Sequence, residues 1–274
     1  MRDAVEAQKY NAFATTLFEK RKARMQRDPR ASGDGGNDDL MAHLLQSNSL
    51  SDGDLQADSS LLVAAGSDAV RLAIAAAIFY LLKNPPVLDK ITKEIRASVL
   101  SADEITDSIL SRIKYLRACV NEALRLTPPK AASIPREVRE GGITIDGMYI
   151  PRGMTVGISV YSLHHNPDIF PDPYAFRPER WLEAKDDHIM QAAFCPLLKG
   201  PRMCPGGMIA YFAVELALFH LMYLYDLRFA PGGNDHGGMS DSSDLRQRRD
   251  EYQMNDWIIG FAMGPEIECR RHVV

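Results

Sequence analysis

The sequence predicts a mainly α-helical fold with a minor β region, and three observations carry that prediction. An apolar run, "LLVAAGSDAVRLAIAAAIFYLL" from Leu61 to Leu82, is too long and too evenly apolar to be a strand. Residues 87–99 and 103–127 repeat apolar positions at helical spacing, and Pro128 and Pro129 close the second stretch. Strand-like alternation is confined to one Gly/Pro-broken stretch, "GGITIDGMYIPRGMTVGISVYSLH".

Taken in order, residues 1 to about 28 predict a helix with a strongly basic end, "EKRKARMQR". A nucleic-acid or localisation patch is one reading of it. A solvated helix end, with cations beside the negative pole of the dipole, is the preferred one. The polar stretch "DPRASGDGGNDD" predicts a connection, "LMAHLLQ" a short helix and "SNSLSDGD" a loop. A long helix follows from about Asp54 to Leu82, apolar nearly all round and so expected to cross the core, with Pro85 and Pro86 stopping it. After the two amphipathic helices come short strands in a small sheet, then a loop-rich stretch from Asn166 to Gly207. A last apolar helix from Met208 to Leu227 and a terminal hairpin around "DWIIGFAMGPEIECR" complete the expectation. No internal repeat is visible. Residues 1–274 read as one domain, with 1–53 a helix and polar loops and 54–274 the part that bears the motifs.

Composition excludes several function classes. Apolar residues at 46% and charged residues at 25% belong to a globular chain rather than a disordered one. The 32 basic residues are outnumbered by 36 acidic ones, so no global basic field points to nucleic acid. Cys119, Cys195, Cys204 and Cys269 form no C-x-x-C pair, against a zinc ribbon or a thioredoxin-type centre, and their sparseness suits a reducing compartment. The N-terminus lacks the apolar core of a secretory signal. Leu61–Leu82 is long enough to span a bilayer, but Asp68 and Arg71 near its middle favour a buried helix, and no transmembrane segment is expected.

Three constellations carry chemistry. In "GPRMCPGG" a soft thiolate, Cys204, lies between Gly200 and Gly206, which would let the chain bend tightly, and before a helix whose positive end would favour the anion. Arg202 stands two residues before it, where it could meet an anionic group of a cofactor. An inert buried cysteine in a turn remains the alternative. In "NEALRL", Glu122 and Arg125 share a helix face at i, i+3, and Arg180 in "FRPERW" could complete a buried network with them. In "AAGSDAV", a mid-helix Gly66 beside a buried Asp68 predicts a local distortion, the alternative being a tolerated glycine and an Asp68–Arg71 pair.

Together, in this order and spacing, the three resemble the cytochrome P-450 superfamily of haem-thiolate monooxygenases, with "HHNPDIFPDPYAFRPERWL" most like fungal members. The family's F-x-x-G-x-R-x-C-x-G is met by Leu197, Gly200, Arg202, Cys204 and Gly206, with leucine for phenylalanine. Its E-x-x-R is met by Glu122 and Arg125, and its P-E-R-F by "PERW". The resemblance runs from about Asp54 to near the C-terminus. It implies the C-terminal portion of the cytochrome P-450 fold: long central helix, Glu-x-x-Arg helix, small sheet, cysteine loop and last helix.

The resemblance also implies roles. Cys204 would be the axial ligand of haem b iron, Arg202 and Arg136 would hold the propionates, and Gly200 and Gly206 would shape the loop. Glu122, Arg125 and Arg180 would lock that loop, and Ala131 to Ile134 and Ile258 to Phe261 would line the substrate side. His164, His165, His188 and His220 need no ligand role. The activity implied is insertion of one oxygen atom from O2 into an apolar small metabolite, in the manner of secondary metabolism. NADPH would act only through a separate cytochrome P-450 reductase, with Lys199 and Arg202 a plausible docking edge. The setting implied is the cytoplasm or the surface of the endoplasmic reticulum.

Two departures bear on that activity. The long-helix motif A-G-x-D/E-T reads Ala65, Gly66, Ser67, Asp68, Ala69, so Asp68 is the candidate catalytic acid without its threonine partner, and Ser67 points about 100° away around the helix. The expected N-terminal half of a family member does not precede the motifs, which would expose haem along one side and leave apolar surface uncovered. Two further readings therefore stand beside the monooxygenase: a non-catalytic haem-binding or interaction protein, and a haem-thiolate enzyme of isomerisation or dehydration.

Overall fold

The computed structural model describes residues 2–27, 40–46, 50–101, 104–183, 187–235, 237, 248–255, 260 and 262–272. The expected connection at 28–39, and Ile258, Ile259 and Phe261 of the expected substrate wall, lie outside these. The chain forms two compact units, residues 1–67 and 68–274.

In the first unit, α1 (Arg2–Arg27) and α2 (Leu40–Gln46) precede α3 (Asp52–Lys83), whose residues beyond 67 belong to the second. Ser51 starts α3 with a reciprocal cap. Its Oγ accepts from Asp54 N–H at 3.2 Å, while Asp54 Oδ2 accepts from Ser51 N–H at 3.1 Å and from the Ser51 hydroxyl at 2.7 Å. Those bonds hold the Asp54 carboxyl below its usual range. They also set the helix start two residues ahead of the position expected from apolar content. Ala14, Phe18 and Leu55 are buried together with a Gln56–Thr15 bond of 2.6 Å and a Lys22–Asp52 pair of 2.6 Å, so α1 lies along the start of α3.

Besides a small satellite cluster of Phe170, Met190 and Ala193, the second unit has a large core. The rest of α3 supplies Leu72, Ala76 and Phe79; α4 (Pro85–Ser98) supplies Ile91 and Ile95; α6 (Lys114–Leu126) supplies Leu116, Cys119 and Val120. The last helix, α10 (Gly207–Leu224), adds Leu218, Phe219 and Met222. Pro85 and Pro86 open α4 as well as ending α3, since proline at the first helical positions loses no needed N–H. The single helix expected over 103–127 is two. A short α5 (Asp107–Leu110), capped by Thr106, is separated from α6 by a turn at Ser111–Ile113, where Ile113 takes ψ 74°. Serine and a β-branched isoleucine are weak helix formers, and the apolar pattern alone does not reveal that break.

Among the described residues the β region is three separate two-stranded antiparallel ribbons rather than one small sheet. β1 (Arg136–Glu137) pairs with β4 (Thr155–Val156), and β2 (Ile143–Ile145) with β3 (Met148–Ile150). The β2–β3 turn is Asp146–Gly147, both at positive φ (48° and 78°), as a tight hairpin turn requires. β5 (Tyr225–Phe229) pairs with β6 (Ile267–Arg271), so the C-terminal strand reaches back to the end of α10; residues 256–259 and 261 of the expected terminal hairpin lie outside the described residues. The end of the stretch expected to be strands is a short helix instead, α7 (Val160–His164), started by Ser159, whose side chain accepts from Ser162 N–H. Short helices α8 (Arg180–Glu183) and α9 (His188–Ala193) punctuate the stretch expected to be loop-rich.

Two arginines fix α10, and with it the loop before it. Arg96 of α4 donates to the carbonyls of Met222 and Tyr225 at 3.1 Å each, satisfying groups the helix end leaves open. Arg117 of α6 grips the buried Glu215 through two nitrogens and lies over the Tyr211 ring. Among the described residues, α3 and α10 are each long and apolar enough to cross a membrane by length and composition alone. Leu61, Met208 and Ile209 are exposed.

Candidate functional site

The cysteine loop is built as successive turns. Leu198 N–H donates to Cys195 O at 3.0 Å, Cys204 N–H to Leu197 O at 2.9 Å and Met203 N–H to Gly200 O at 3.0 Å. Leu198 and Gly200 take positive φ (64° and 80°), and the bend at Gly200 is one that a side chain would strain. Gly206 has an ordinary φ of −84°; a Cβ there would touch Cys204 Sγ at 3.9 Å. The Cys204 thiol is free and half-buried, three residues before the first turn of α10.

Arg202, from a 3-10 turn at Gly200–Arg202, meets Arg136 of β1 across one cleft of about 710 Å³. Glu137, Arg139, Glu140 and Arg152 complete its lining. Arg152 leans on Glu140 at 3.4 Å, whereas Arg139 and Arg202 have no side-chain partner among the described residues. The cleft therefore presents open guanidinium groups toward which an anion would be drawn. Arg139 and Arg152 escaped the sequence reading. Their only signal was the density of arginine around the Gly-rich hairpin.

Glu122, Arg125 and Arg180 are each at most 2% exposed. Glu122 accepts five N–H groups. Arg125 gives it two, at 2.8 and 3.1 Å; Arg180 Nε gives one at 3.0 Å, the Arg177 amide one at 3.1 Å and the Trp181 indole one at 2.9 Å. The arginines' remaining donors reach the carbonyls of His164, Pro171, Asp172, Pro173 and Ala175. Such complete pairing is what allows three charges to be buried together.

A family model described as cytochrome P-450 matches residues 1–255. The chain belongs to the cytochrome P-450 family. Curated relatives agree. A cytochrome P-450 monooxygenase of Gibberella zeae is 36% identical over 245 residues, covering 85% of this chain and 56% of the relative. The cytochrome P-450 monooxygenase poxM of Penicillium oxalicum is 35% identical, covering 86% and 44%. The cytochrome P-450 monooxygenase fscF of Fusarium equiseti is 33% identical, covering 97% and 52%. The chain spans about half the length of these relatives. The match reaches residue 1, so the likeness expected to begin near Asp54 takes in α1 and α2 as well.

The cytochrome P-450 long-helix motif differs from expectation. α3 runs unbroken through Gly66, where a Cβ would meet nothing within 4 Å. Asp68 is not buried: its side chain is 60% exposed, with Arg71 Nε at 3.9 Å, the paired-aspartate alternative. Arg71 also donates to Ala262 O at 2.8 Å. The glycine is tolerated without distortion because nothing crowds that turn. The Ser67 hydroxyl is spent on its own helix, donating to Val63 O at 2.7 Å. Asp68 shares no hydrogen bond, ion pair or cleft with Cys204, Arg136 or Arg202 among the described residues. Ala131 is buried and its carbonyl accepts from Tyr161 N–H and the Ser159 hydroxyl, fixing the start of the 131–134 segment.

Two of the histidines given no ligand role, His164 and His165, are buried. His164 is fully enclosed, and burial pushes its pKa down to about 3. His165 is 6% exposed and pushed down to about 4 by the same cause. Sequence gave no sign of this, because "HHNPD" resembles a solvent-facing turn.

Proposed function

We propose that residues 1–274 form a single partial cytochrome P-450 domain that carries the haem-thiolate side of a monooxygenase. The proposed reaction inserts one oxygen atom from O2 into an apolar small metabolite. The observation that carries this reading is the shared cleft: Arg136 and Arg202, distant in sequence, converge beside the loop that presents Cys204. Their donor set fits haem. A half-buried, unpaired thiol suits a soft axial position, and guanidinium groups with open donors suit two propionates.

Cys204 would hold the iron, with Arg202 and Arg136 on the propionates. Bound haem with a thiolate ligand supplies dioxygen activation, with electrons delivered by a reductase. The protein's own residues do the rest. Glu122, Arg125 and Arg180 hold the segments that precede the cysteine loop. Asp68, exposed on α3, would be the acid of the proton relay; with Ala69 beside it and Ser67 turned to Val63, a water or a substrate hydroxyl would carry the proton onward. The proposed setting is the cytoplasm or the surface of the endoplasmic reticulum.

The test supplies the haem-loaded chain with a reductase, NADPH and isotopically labelled dioxygen. One labelled oxygen atom in an apolar product supports the reading. Ala69 favours one alternative, a haem-binding protein without turnover, and retained haem with no labelled product under any substrate would establish it.

A further inference from the structure

We infer that His164 is a positioning residue that transmits the rigidity of the Glu122–Arg125–Arg180 network to the loop bearing Cys204. The inference rests on the reading of Cys204 as the iron-holding residue. The imidazole bridges two segments. Nδ1 lies 3.2 Å from Arg125 O, at the end of α6, and Nε2 lies 3.0 Å from the backbone N–H of Cys195. The Cys195 amide can only donate, so Nε2 is the acceptor and the ring proton sits on Nδ1, where it donates to the carbonyl. Only the neutral ring satisfies both partners at once, and burial keeps it neutral down to about pH 3.

The bridge is held on every side. Arg125 Nη1 donates to His164 O at 2.9 Å, so Arg125 grips the residue through its side chain while its own carbonyl takes the ring proton. Phe194, next to Cys195, stacks on the imidazole with centroids 5.4 Å apart, and Phe170 meets its edge at 6.0 Å. From Cys195 the chain of bonds is short. Cys195 O accepts from Leu198 N–H, and Leu197 O accepts from the N–H of Cys204 itself. His164 therefore fixes the first residue of the turn whose last residue presents the thiol. The triad shares no hydrogen bond or ion pair with that turn among the described residues.

The proposal is tested with three variants of the full chain: His164→Gln, whose amide can donate and accept across a similar span; His164→Asn, polar but too short to span it; and His164→Leu. Without haem, hydrogen exchange at the Cys195 amide and the rate of Cys204 alkylation by iodoacetamide are measured, with the exposed Cys269 as internal reference. Exchange in the Asn and Leu variants is expected to rise about tenfold, the loss of one net hydrogen bond, with faster Cys204 alkylation and an unchanged Cys269 rate. The Gln variant is expected to lie near the native rates. Equal Cys195 exchange and Cys204 alkylation in the Gln and Asn variants would overturn the proposal, whether or not the Leu variant folds. With haem, the Asn variant should lose part of the thiolate-type carbon monoxide band that the Gln variant keeps. A native chain with no such band defeats the haem reading, while the haem-free rates still decide the role of His164.

Discussion

The Trp181 indole N–H donates to Glu122 Oε2 at 2.9 Å. In "PERW" the aromatic residue is thus a working member of the buried network rather than a space-filler, and it ties α8 to α6 through a carboxylate that is completely shielded from water.

Replacing Trp181 by Phe keeps the ring and removes that donor. The expected cost is about 1.5–3 kcal/mol, the range for a hydrogen bond to a charged group. Glu122→Ala removes the shared acceptor and leaves two buried guanidinium groups facing each other, so a larger loss of about 3–5 kcal/mol is expected. Urea unfolding of both variants checks the order; equal losses would show that the indole bond carries no separate weight.

Acid stability follows from the two buried histidines. The folded rings have depressed pKa values, about 3 for His164 and about 4 for His165, against 6.5 ordinarily. Stability is therefore full above pH 6.5 and falls as the pH drops from 6.5 toward 4, because the unfolded chain binds protons that the folded chain refuses. Two such groups give a slope of at most about 2.7 kcal/mol per pH unit. Urea midpoints at pH 7, 6 and 5 measure it, and His164→Gln should roughly halve the slope. A flat profile would contradict the enclosed-ring geometry.

The arginine cleft predicts a ligand-retention phenotype. Arg202→Met and Arg136→Met should each speed haem loss by about 10- to 100-fold, as expected for removing charge-assisted bonds worth about 1.5–3 kcal/mol. Transfer of haem to an excess of a haem-scavenging apoprotein reads this directly. Rates that match the native chain would remove both residues from the propionate role.

Restoring a hydroxyl at residue 69 tests proton delivery. Ala69→Thr is expected to raise the product formed per electron pair consumed, with little change in stability because the site is partly exposed. No gain in that ratio would place the onward proton carrier elsewhere.

Much of this was legible in the chain. The helices of the core announced themselves because Ile91, Ile95, Leu116 and Val120 recur at helical spacing and find one another across the interior. Glu122, Arg125 and Arg180 could be assembled because each sits in a short, ordered pattern, and the family's membership follows from the same residues. Tertiary features were not legible. The cleft needs Arg139 and Arg152 from two turns of the hairpin region, and no spacing links them to Arg202. The burial of His164 depends on Phe170 and Phe194 closing over it. The exposure of Asp68 could not be read from an apolar helix, because hydropathy reports what a segment could bury, not what lies against it.

The most direct test is the absorption spectrum of haem-loaded protein, reduced and exposed to carbon monoxide, beside Cys204→Ala. The account predicts a strongly red-shifted Soret band in the native chain that disappears in the variant. A chain that takes up no haem, or a variant with an unchanged spectrum, would contradict the assignment of Cys204 as the iron's ligand.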